Sequence, residues 1–532
     1  MQILAFIGFT AFVAIISYYK TRKTEESSSD GYFLGGRSLT AGVIAGSLLL
    51  TNLSTEQIVG LNGSAYQSGL SVMVWETLAA IAMVVTAMFL LPRYLKGGLT
   101  TVPGFLAKRF DVTTKTFTSV LFLTGYVVVL LPVILYSGSV AISGMFDVPE
   151  LLGVSKSQAI WICVWGIGII GSIYAVFGGL KAVVVSDSIN AIGLLIGGVL
   201  IPVFGLMMIG DGSVMDGLST DPVPFYTIFT GMMLVQLFYW GTNQQIIQRA
   251  LGAKDLKEGQ KGLLLASFIK ILGPIIVVLP GLIAFHLFEG NLESADNAYP
   301  MLVKKVLPSA WVGFFAAVIF GAILSSFNSV LNSAVTLFGI DVYKQHINKS
   351  AKEKTVVKYG KTFGVALAIA SMFIAPLIAN AGSLFDYLQE INGIYSIPIL
   401  TIIVVGYLTK RVPAIAAKIG LVSGCVLYII SQFFMQPYFV NKAIETAKVS
   451  GISDEATLGL IEAQAYPHFL DVMAILFALN VIIMLIIGKL KPRSEDYVQE
   501  YTKQVDITPW KYAKLTGIAI CVIVISVYIY FA

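Results

Sequence analysis

The sequence predicts an all-α integral membrane protein of about fourteen transmembrane helices, with a five-plus-five inverted-repeat core containing unwound helices. Three observations carry that prediction. First, 56% of the 532 residues are hydrophobic and only 12% are charged, with a mean hydropathy of +0.82. A soluble chain keeps about a quarter of its residues charged. Second, apolar segments of about 20 residues, enough to cross a ~30 Å hydrocarbon core, recur along the whole length. Third, two of these segments turn polar at their middle, at corresponding places in two halves of the chain. One is LLLTNLSTEQIVGLNGSAY at 48–66, where Thr51, Asn52, Ser54, Thr55, Glu56 and Gln57 follow one another with only Leu53 between them.

In chain order the apolar segments lie near residues 2–19, 41–69, 70–92, 117–143, 158–179, 185–209, 225–247, 262–288, 309–339, 362–381, 383–407, 413–435, 467–488 and 513–531. The first, within 1–24, is a leading helix. No basic residue precedes its apolar run and no small-residue cleavage site follows, so it reads as an anchor rather than a signal peptide. The remainder are spans one to thirteen. Cys163, Cys425 and Cys521 all sit inside apolar runs and read as small core residues, too few for a disulfide framework or a metal site.

Orientation follows from lysine and arginine. With the amino terminus outside, Lys20, Arg22, Lys23, Arg37, Arg93, Lys96, Lys108, Arg109 and Lys115 fall in the cytoplasm. So do Arg249, Lys254, Lys257, the lysines of 344–361, Lys410, Arg411 and the basic residues of 489–514. Lys156, Lys304, Lys305, Lys442 and Lys448 stay outside, where the loops carry Asp211, Asp216, Asp221, Glu289, Glu293 and Asp296. This distribution predicts both termini outside. Lys270 fits neither side.

Span one breaks at Thr51-Asn52-Leu53-Ser54, and span six, GMMLVQLFYWGTNQQIIQR, near Gly241-Thr242-Asn243. They stand five spans apart, an odd number, so they cross the membrane in opposite directions. Paired interruptions in two antiparallel halves point to an inverted-repeat secondary transporter. The alternative is that a Gly or Asn pair merely eases helix packing. On the first reading, spans one to five (41–209) and six to ten (225–407) are the repeats. The leading helix and three C-terminal helices (413–532) are additions.

TNLSTEQIVGLNGSAY, YAVFGGLKAVVVSDSINAIGLLIGG, FYWGTNQQIIQRALGAKDLKEGQKG, SSFNSVLNSAVTLFGIDVYKQHI and YLQEINGIYSIPIL resemble, in that order, the solute:sodium symporter family. Within it they are most similar to bacterial sodium/galactose and sodium/glucose cotransporters. The similarity covers residues 30 to 490. It implies sodium-coupled import of a hexose-type sugar by alternating access, galactose or glucose foremost, through the cytoplasmic (plasma) membrane. The family also carries inositol, proline, nucleosides, vitamins and anions.

A sodium site has a physical rationale in these residues. Unwinding a helix frees backbone carbonyls, which must be satisfied in lipid, and a hard cation satisfies them well. In span eight, GAILSSFNS, Ser325 and Ser326 follow Ala322 by three and four residues, so their hydroxyls and the Ala322 carbonyl face one way. The competing reading has both serines bonding back to their own helix. The resemblance implies sodium ligation by the carbonyls of Leu50, Leu53 and Ala322 and the hydroxyls of Ser325 and Ser326. It also implies that Asp187, in AVVVSDSIN, lies on the sodium exit path; the alternative there is a helix cap.

Ionisable groups inside a bilayer default to a functional hypothesis. This chain places Glu56 and Gln57 in span one, Glu76 in span two, Lys270 in span seven, and Asp386, Gln389 and Glu390 in span ten. Glu76 and Lys270 could simply offset each other's burial. A mixture of Gln, Glu and Lys also suits a sugar, because each hydroxyl both donates and accepts. Tyr239, Trp240, Trp75 and Phe385 are available to cover its apolar face. The resemblance implies sugar contacts from Gln57, Glu76, Lys270 and Gln389, with Gln236 and Trp240 beside them. It further implies an inner gate in which Tyr239 stacks beneath the sugar and bonds to Asn52, and an apolar outer gate of Leu61, Trp75 and Phe385. Three positions depart from the family pattern: Gln236 replaces an asparagine, Ala79 a serine and Trp75 a tyrosine.

Rival classes find little in the sequence. His286, His346 and His468 lie in different regions, and no cysteine–histidine cluster, phosphate loop or nucleophile elbow suggests an enzyme. Nothing points to nucleic acid. A channel would need a continuous polar pore, whereas polarity here clusters at the midplane. A proton-coupled carrier would lean on a titratable carboxylate rather than paired serines, and a quaternary-ammonium carrier on an aromatic cage without Glu76 and Lys270. Inositol or a sugar acid remains an alternative cargo.

Overall fold

The structure is a computed structural model and describes residues 1–21, 29–210, 225–380 and 384–531. The expected loop residues Arg22, Lys23, Asp211, Asp216 and Asp221, and the side chain of the gate candidate Phe385, lie outside the described residues. Among those described, every regular element is a helix. In the first half the principal ones are α1 Gln2–Thr21, α2 Ala41–Asn52, α3 Thr55–Ser68, α4 Leu70–Lys96, α5 Val112–Phe146, α6 Lys156–Ile173 and α7 Val183–Ile209. There follow α8 Gly231–Gly241, α9 Gln244–Leu251, α10 Leu256–Lys270, α11 Gly273–Phe288, α12 Ser309–Ile347, α13 Glu353–Ile374 and α14 Leu384–Leu408. The last three are α15 Ala414–Val449, α16 Phe469–Leu490 and α17 Ala513–Phe531.

Among the described residues, 11 helices are long and apolar enough to cross a membrane, or 12 when α10 and α11 count together. The pairs α2/α3 and α8/α9 do not reach that threshold even when each is joined, because polar residues fill their breaks and the half-helices that follow. Those cuts fall where the polar clusters predict them. α2 ends at Asn52, Leu53 takes φ −75°, ψ 52°, Ser54 is extended, and α3 begins at Thr55. α8 ends at Gly241, and Asn243 caps α9 by accepting from the Gln245 backbone N–H at 3.0 Å.

Two features differ from the sequence expectation. The span read at 262–288 is bent by 53° between α10 and α11. Gly273-Pro274 lies just after the bend, where proline at the first turn supplies no N–H and is tolerated. Second, helical backbone continues from Lys156 to Ile209, 54 residues, with Pro202 inside it, where two separate spans were expected. At 1.5 Å per residue that run measures about 80 Å, far beyond one ~30 Å crossing. It therefore supplies two crossings, α6 and α7.

α12 forms the spine, packed by α1, α5, α6, α7 and α13. The outer faces of α1, α15, α16 and α17 expose Leu4, Phe12, Phe434, Ile482, Leu515 and Ile529, the surface a lipid-facing helix requires. Segments that the charge rule assigns to one side of the membrane meet at one end of the molecule. Lys254 N bonds to the Leu39 carbonyl, and the segment from Arg493 to Trp510 straps across that end. Thr502 N bonds to Lys96 O, Tyr497 N to Lys410 O, Leu256 N to Asp506 O and Trp510 N to Gln260 Oε1. Gly98, at φ +59°, lies under the strap, where a Cβ would overlap Gln504 and Thr502. At the opposite end Lys304 pairs with Asp147 and Lys156 with Glu293. Two arginines from the charge tally prove not to be loop charges: Arg109 and Arg249 are both 0% exposed. Arg109 satisfies the carbonyls of Gly406 and Val412 at 2.8 and 3.0 Å.

Candidate functional site

The two interruptions face one another at the centre of the molecule, and neighbouring helices satisfy the backbone groups they free. The Tyr94 hydroxyl donates to the Gly241 carbonyl at 2.8 Å. Tyr126 donates to Asn243 Oδ1 at 2.8 Å and accepts from Gln245 N at 3.1 Å. In a low-dielectric core an unmade backbone bond costs on the order of 1–3 kcal/mol, so these tyrosines hold the breaks open.

Between the breaks lies a cavity lined by α2, α3, α4, α5, α8, α9, α10 and α14. Gln57, Glu76, Gln236, Tyr239, Trp240, Lys270 and Gln389 all line it, as do Asn52 and Trp75. Lys270 Nζ donates to both Glu76 Oε2 and Asn52 Oδ1, and stands 5.8 Å from the centre of the Trp240 ring. Lys270 and Glu76 are each 1% exposed. Room for the carboxylate comes from the bend: a Cβ on Gly273 would collide with Glu76 Oε2. Gln236 donates to the Trp75 carbonyl at 2.7 Å and accepts from Trp240 Nε1 at 3.2 Å. Its longer amide, at a position where the family pattern has asparagine, thus links the Trp75 backbone to the Trp240 indole. Tyr239 packs edge-on against Trp240, with centroids 5.3 Å apart, and its hydroxyl interacts with Asn52.

Leu61 is buried on α3 and does not line this cavity. Residues to which the sequence assigned no contact join it: Glu56, Gln245 and Asn392. Glu56 Oε2 and Gln245 Oε1 are buried acceptors with no hydrogen-bond partner. Gln245 had a legible signal, since it opens the half-helix after the break and a first turn there must face the midplane.

Beside the α2/α3 break lies α12. Ser326 Oγ donates across to the Thr51 carbonyl at 3.3 Å, and Ser325 Oγ makes no well-formed hydrogen bond but faces Asp187. Neither serine bonds back to its own helix; Ser329 does, to the Ser325 carbonyl at 2.6 Å. Leu50, Leu53 and Ala322 are all buried here. Asp187 lies inside a continuous helical run and caps nothing. Its carboxylate accepts from Ser47 Oγ at 2.7 Å, at a close approach where a Cβ on Gly46 would sit 3.2 Å from the Ser188 backbone. Carbonyls freed by unwinding, two hydroxyls and a carboxylate are hard oxygen donors, the set that suits an alkali cation.

Comparison with known proteins identifies the family and the fold. Residues 32–424 match the model of the sodium:solute symporter family. The chain is 46% identical to the uncharacterized symporter YidK of Escherichia coli over 99% of its own length and 90% of the relative's. It is 31% identical to the sodium/glucose cotransporter of Vibrio parahaemolyticus over 81% of this chain and 85% of that one. Among solved structures, a Na+-coupled sialic acid symporter in a substrate-bound outward-open state superposes with a TM-score of 0.74 at 18% identity, covering 93% of this chain and 99% of that one. The fold is therefore that of the inverted-repeat (LeuT-type) transporters. With sodium as its coupling ion, the protein is a multi-pass membrane transporter, not an enzyme, and it belongs to the sodium:solute symporter family.

Proposed function

We propose that the protein imports an uncharged, polyhydroxylated solute of hexose type together with sodium, across the plasma membrane, with both termini outside. The observation that carries this reading is the pair of unpartnered acceptors, Glu56 Oε2 and Gln245 Oε1, in a cavity that also offers Gln57, Gln389 and Lys270 as donors. Hydroxyls both donate and accept, so a polyol can meet both kinds of group, while Trp75, Tyr239 and Trp240 cover its apolar faces. Two carboxylates, Glu56 and Glu76, stand against one ammonium in the lining. That balance favours a neutral sugar or inositol over a sugar acid. The sodium/glucose cotransporter among the relatives supports the same choice. In this reading Leu50, Leu53, Ala322, Ser325 and Ser326 hold the ion, Asp187 receives it on release, and Asn52 with Tyr239 forms the inner gate.

The test is zero-trans uptake into proteoliposomes, in sodium and in choline buffer, across hexoses, inositol and sugar acids. Sodium-dependent uptake of a neutral hexose or inositol, with sugar acids excluded, is the expected result. Uptake confined to an anion would overturn the substrate assignment.

The gate gives a graded series. Tyr239→Phe keeps the ring and loses one hydrogen bond, a net effect of about 0.5–1.5 kcal/mol, or about two- to tenfold in apparent affinity. Tyr239→Ala also loses the stack and transports far less. Equal uptake by wild type and both variants would remove Tyr239 from the gate.

A further inference from the structure

We infer that Arg249 is a built-in competing cation of the sodium pathway, whose guanidinium contends with sodium for the oxygens around Asp187 and α12 and thereby weakens ion retention and speeds release. The inference rests on the sodium-symport reading above. Arg249 lies on α9, one turn beyond Gln245, and is wholly buried. Its two terminal nitrogens donate to the Gln245 carbonyl and to Ser329 Oγ, and its Nε donates to Ser47 Oγ at 3.2 Å. Ser47 in turn donates to Asp187, whose carboxylate also interacts electrostatically with the guanidinium.

Ser329 and Ser47 lie beside residues of the candidate sodium pathway, Ser325 and Asp187. Ser329 Oγ lies 3.3 Å from Thr51 Oγ1 and bonds to the Ser325 carbonyl, while Ser326 bonds to the Thr51 carbonyl. One side chain therefore ties both interrupted helices to α12 and α7. A buried cation needs a counter-charge, and Asp187 is the carboxylate within its reach. When sodium enters the same neighbourhood, two cations share one carboxylate, and each lowers the other's affinity. Gln245 lines the solute cavity, so solute contact at α9 reaches Arg249 through the Gln245 carbonyl. A freely solvated arginine at the helix end, as the charge pattern alone suggests, would have none of these consequences.

The experiment titrates sodium against purified protein in nanodiscs, reading the quenching of intrinsic tryptophan fluorescence, with Trp75 and Trp240 as reporters in the cavity. Arg249→Gln should lower the half-saturating sodium concentration by at least about tenfold and slow steady-state uptake. Arg249→Lys keeps the charge and should stay near wild type. Asp187→Asn should raise half-saturation, and the double variant Arg249→Gln/Asp187→Asn should fall between the two singles. Sodium affinity that is unchanged or weaker in folded Arg249→Gln overturns the inference. If Arg249→Gln does not fold, the comparison passes to the charge-neutral double variant against Asp187→Asn alone, where tighter sodium binding in the double supports the competition and equal or weaker binding refutes it. Loss of sodium response in the wild-type protein would instead defeat the sodium-symport reading itself.

Discussion

Ser326→Ala lowers apparent sodium affinity on the order of tenfold or more and collapses sodium-driven uptake, while the protein still inserts and folds. Ser326 is fully buried, and its hydroxyl bridges α12 to the Thr51 carbonyl at the helix break. Donating that proton leaves its lone pairs free to face a cation, which is the arrangement a ligand needs. An interaction of a hydroxyl with a charged group contributes about 1.5–3 kcal/mol, and about 1.4 kcal/mol is tenfold in affinity. Removing Oγ changes volume little, so the stability loss should stay near the ~1 kcal/mol of one neutral hydrogen bond. Ser371→Ala is the control, because that buried hydroxyl bonds only to the Leu367 carbonyl of its own helix. Sodium dependence of uptake, measured for both variants at matched expression, decides the matter. Wild-type sodium dependence in Ser326→Ala would place the ion elsewhere.

Neutralising Glu76 and Lys270 together rescues stability but not sugar binding. The two groups pair directly and are almost fully buried, so either single change leaves an orphan charge at about 3–5 kcal/mol, whereas replacing both is often nearly neutral. Glu76→Gln and Lys270→Met should therefore each lower the melting temperature, and the double variant should recover most of it. Affinity for solute follows a different rule. Both side chains line the cavity, and Lys270 also orders Asn52 beneath Tyr239. Neither lost contact returns in the double variant, so its sugar affinity stays as low as in the weaker single. Recovery of sugar uptake in step with stability would make the pair purely structural.

The contrast between these groups shows which features are legible in a sequence. Crossings are legible because the bilayer imposes one rule, about 20 apolar residues. The breaks are legible because polar clusters such as 51–57 have no other reason to sit mid-membrane. The bend before Gly273 is harder to see, since IKILGPIIVV stays apolar throughout and only its Gly-Pro pair hints at it. Arg249 and Arg109 escaped because their partners are distant in sequence: Ser329 is 80 residues away from Arg249, and Gly406 is 297 from Arg109. Near a helix end, an arginine that plugs a core and one that faces the cytoplasm look alike. The 493–510 strap has no hydrophobic period at all, and its order comes from long-range hydrogen bonds to Lys96, Lys410 and Gln260. Within the cavity, residue types pointed to Gln57, Glu76, Lys270 and Gln389, and the break itself pointed to Gln245, whereas Asn392 needed the fold to bring it in.

Coupling between the two sites is the central claim, and linkage makes it measurable. If sodium strengthens solute binding by some factor, solute must strengthen sodium binding by the same factor. The decisive measurement is a paired titration of one nanodisc preparation: solute affinity in sodium and in choline, then sodium affinity with and without saturating solute. Equal factors of about 5- to 150-fold are expected, the range of coupling energies near 1–3 kcal/mol. A solute affinity identical in sodium and choline would contradict the coupling.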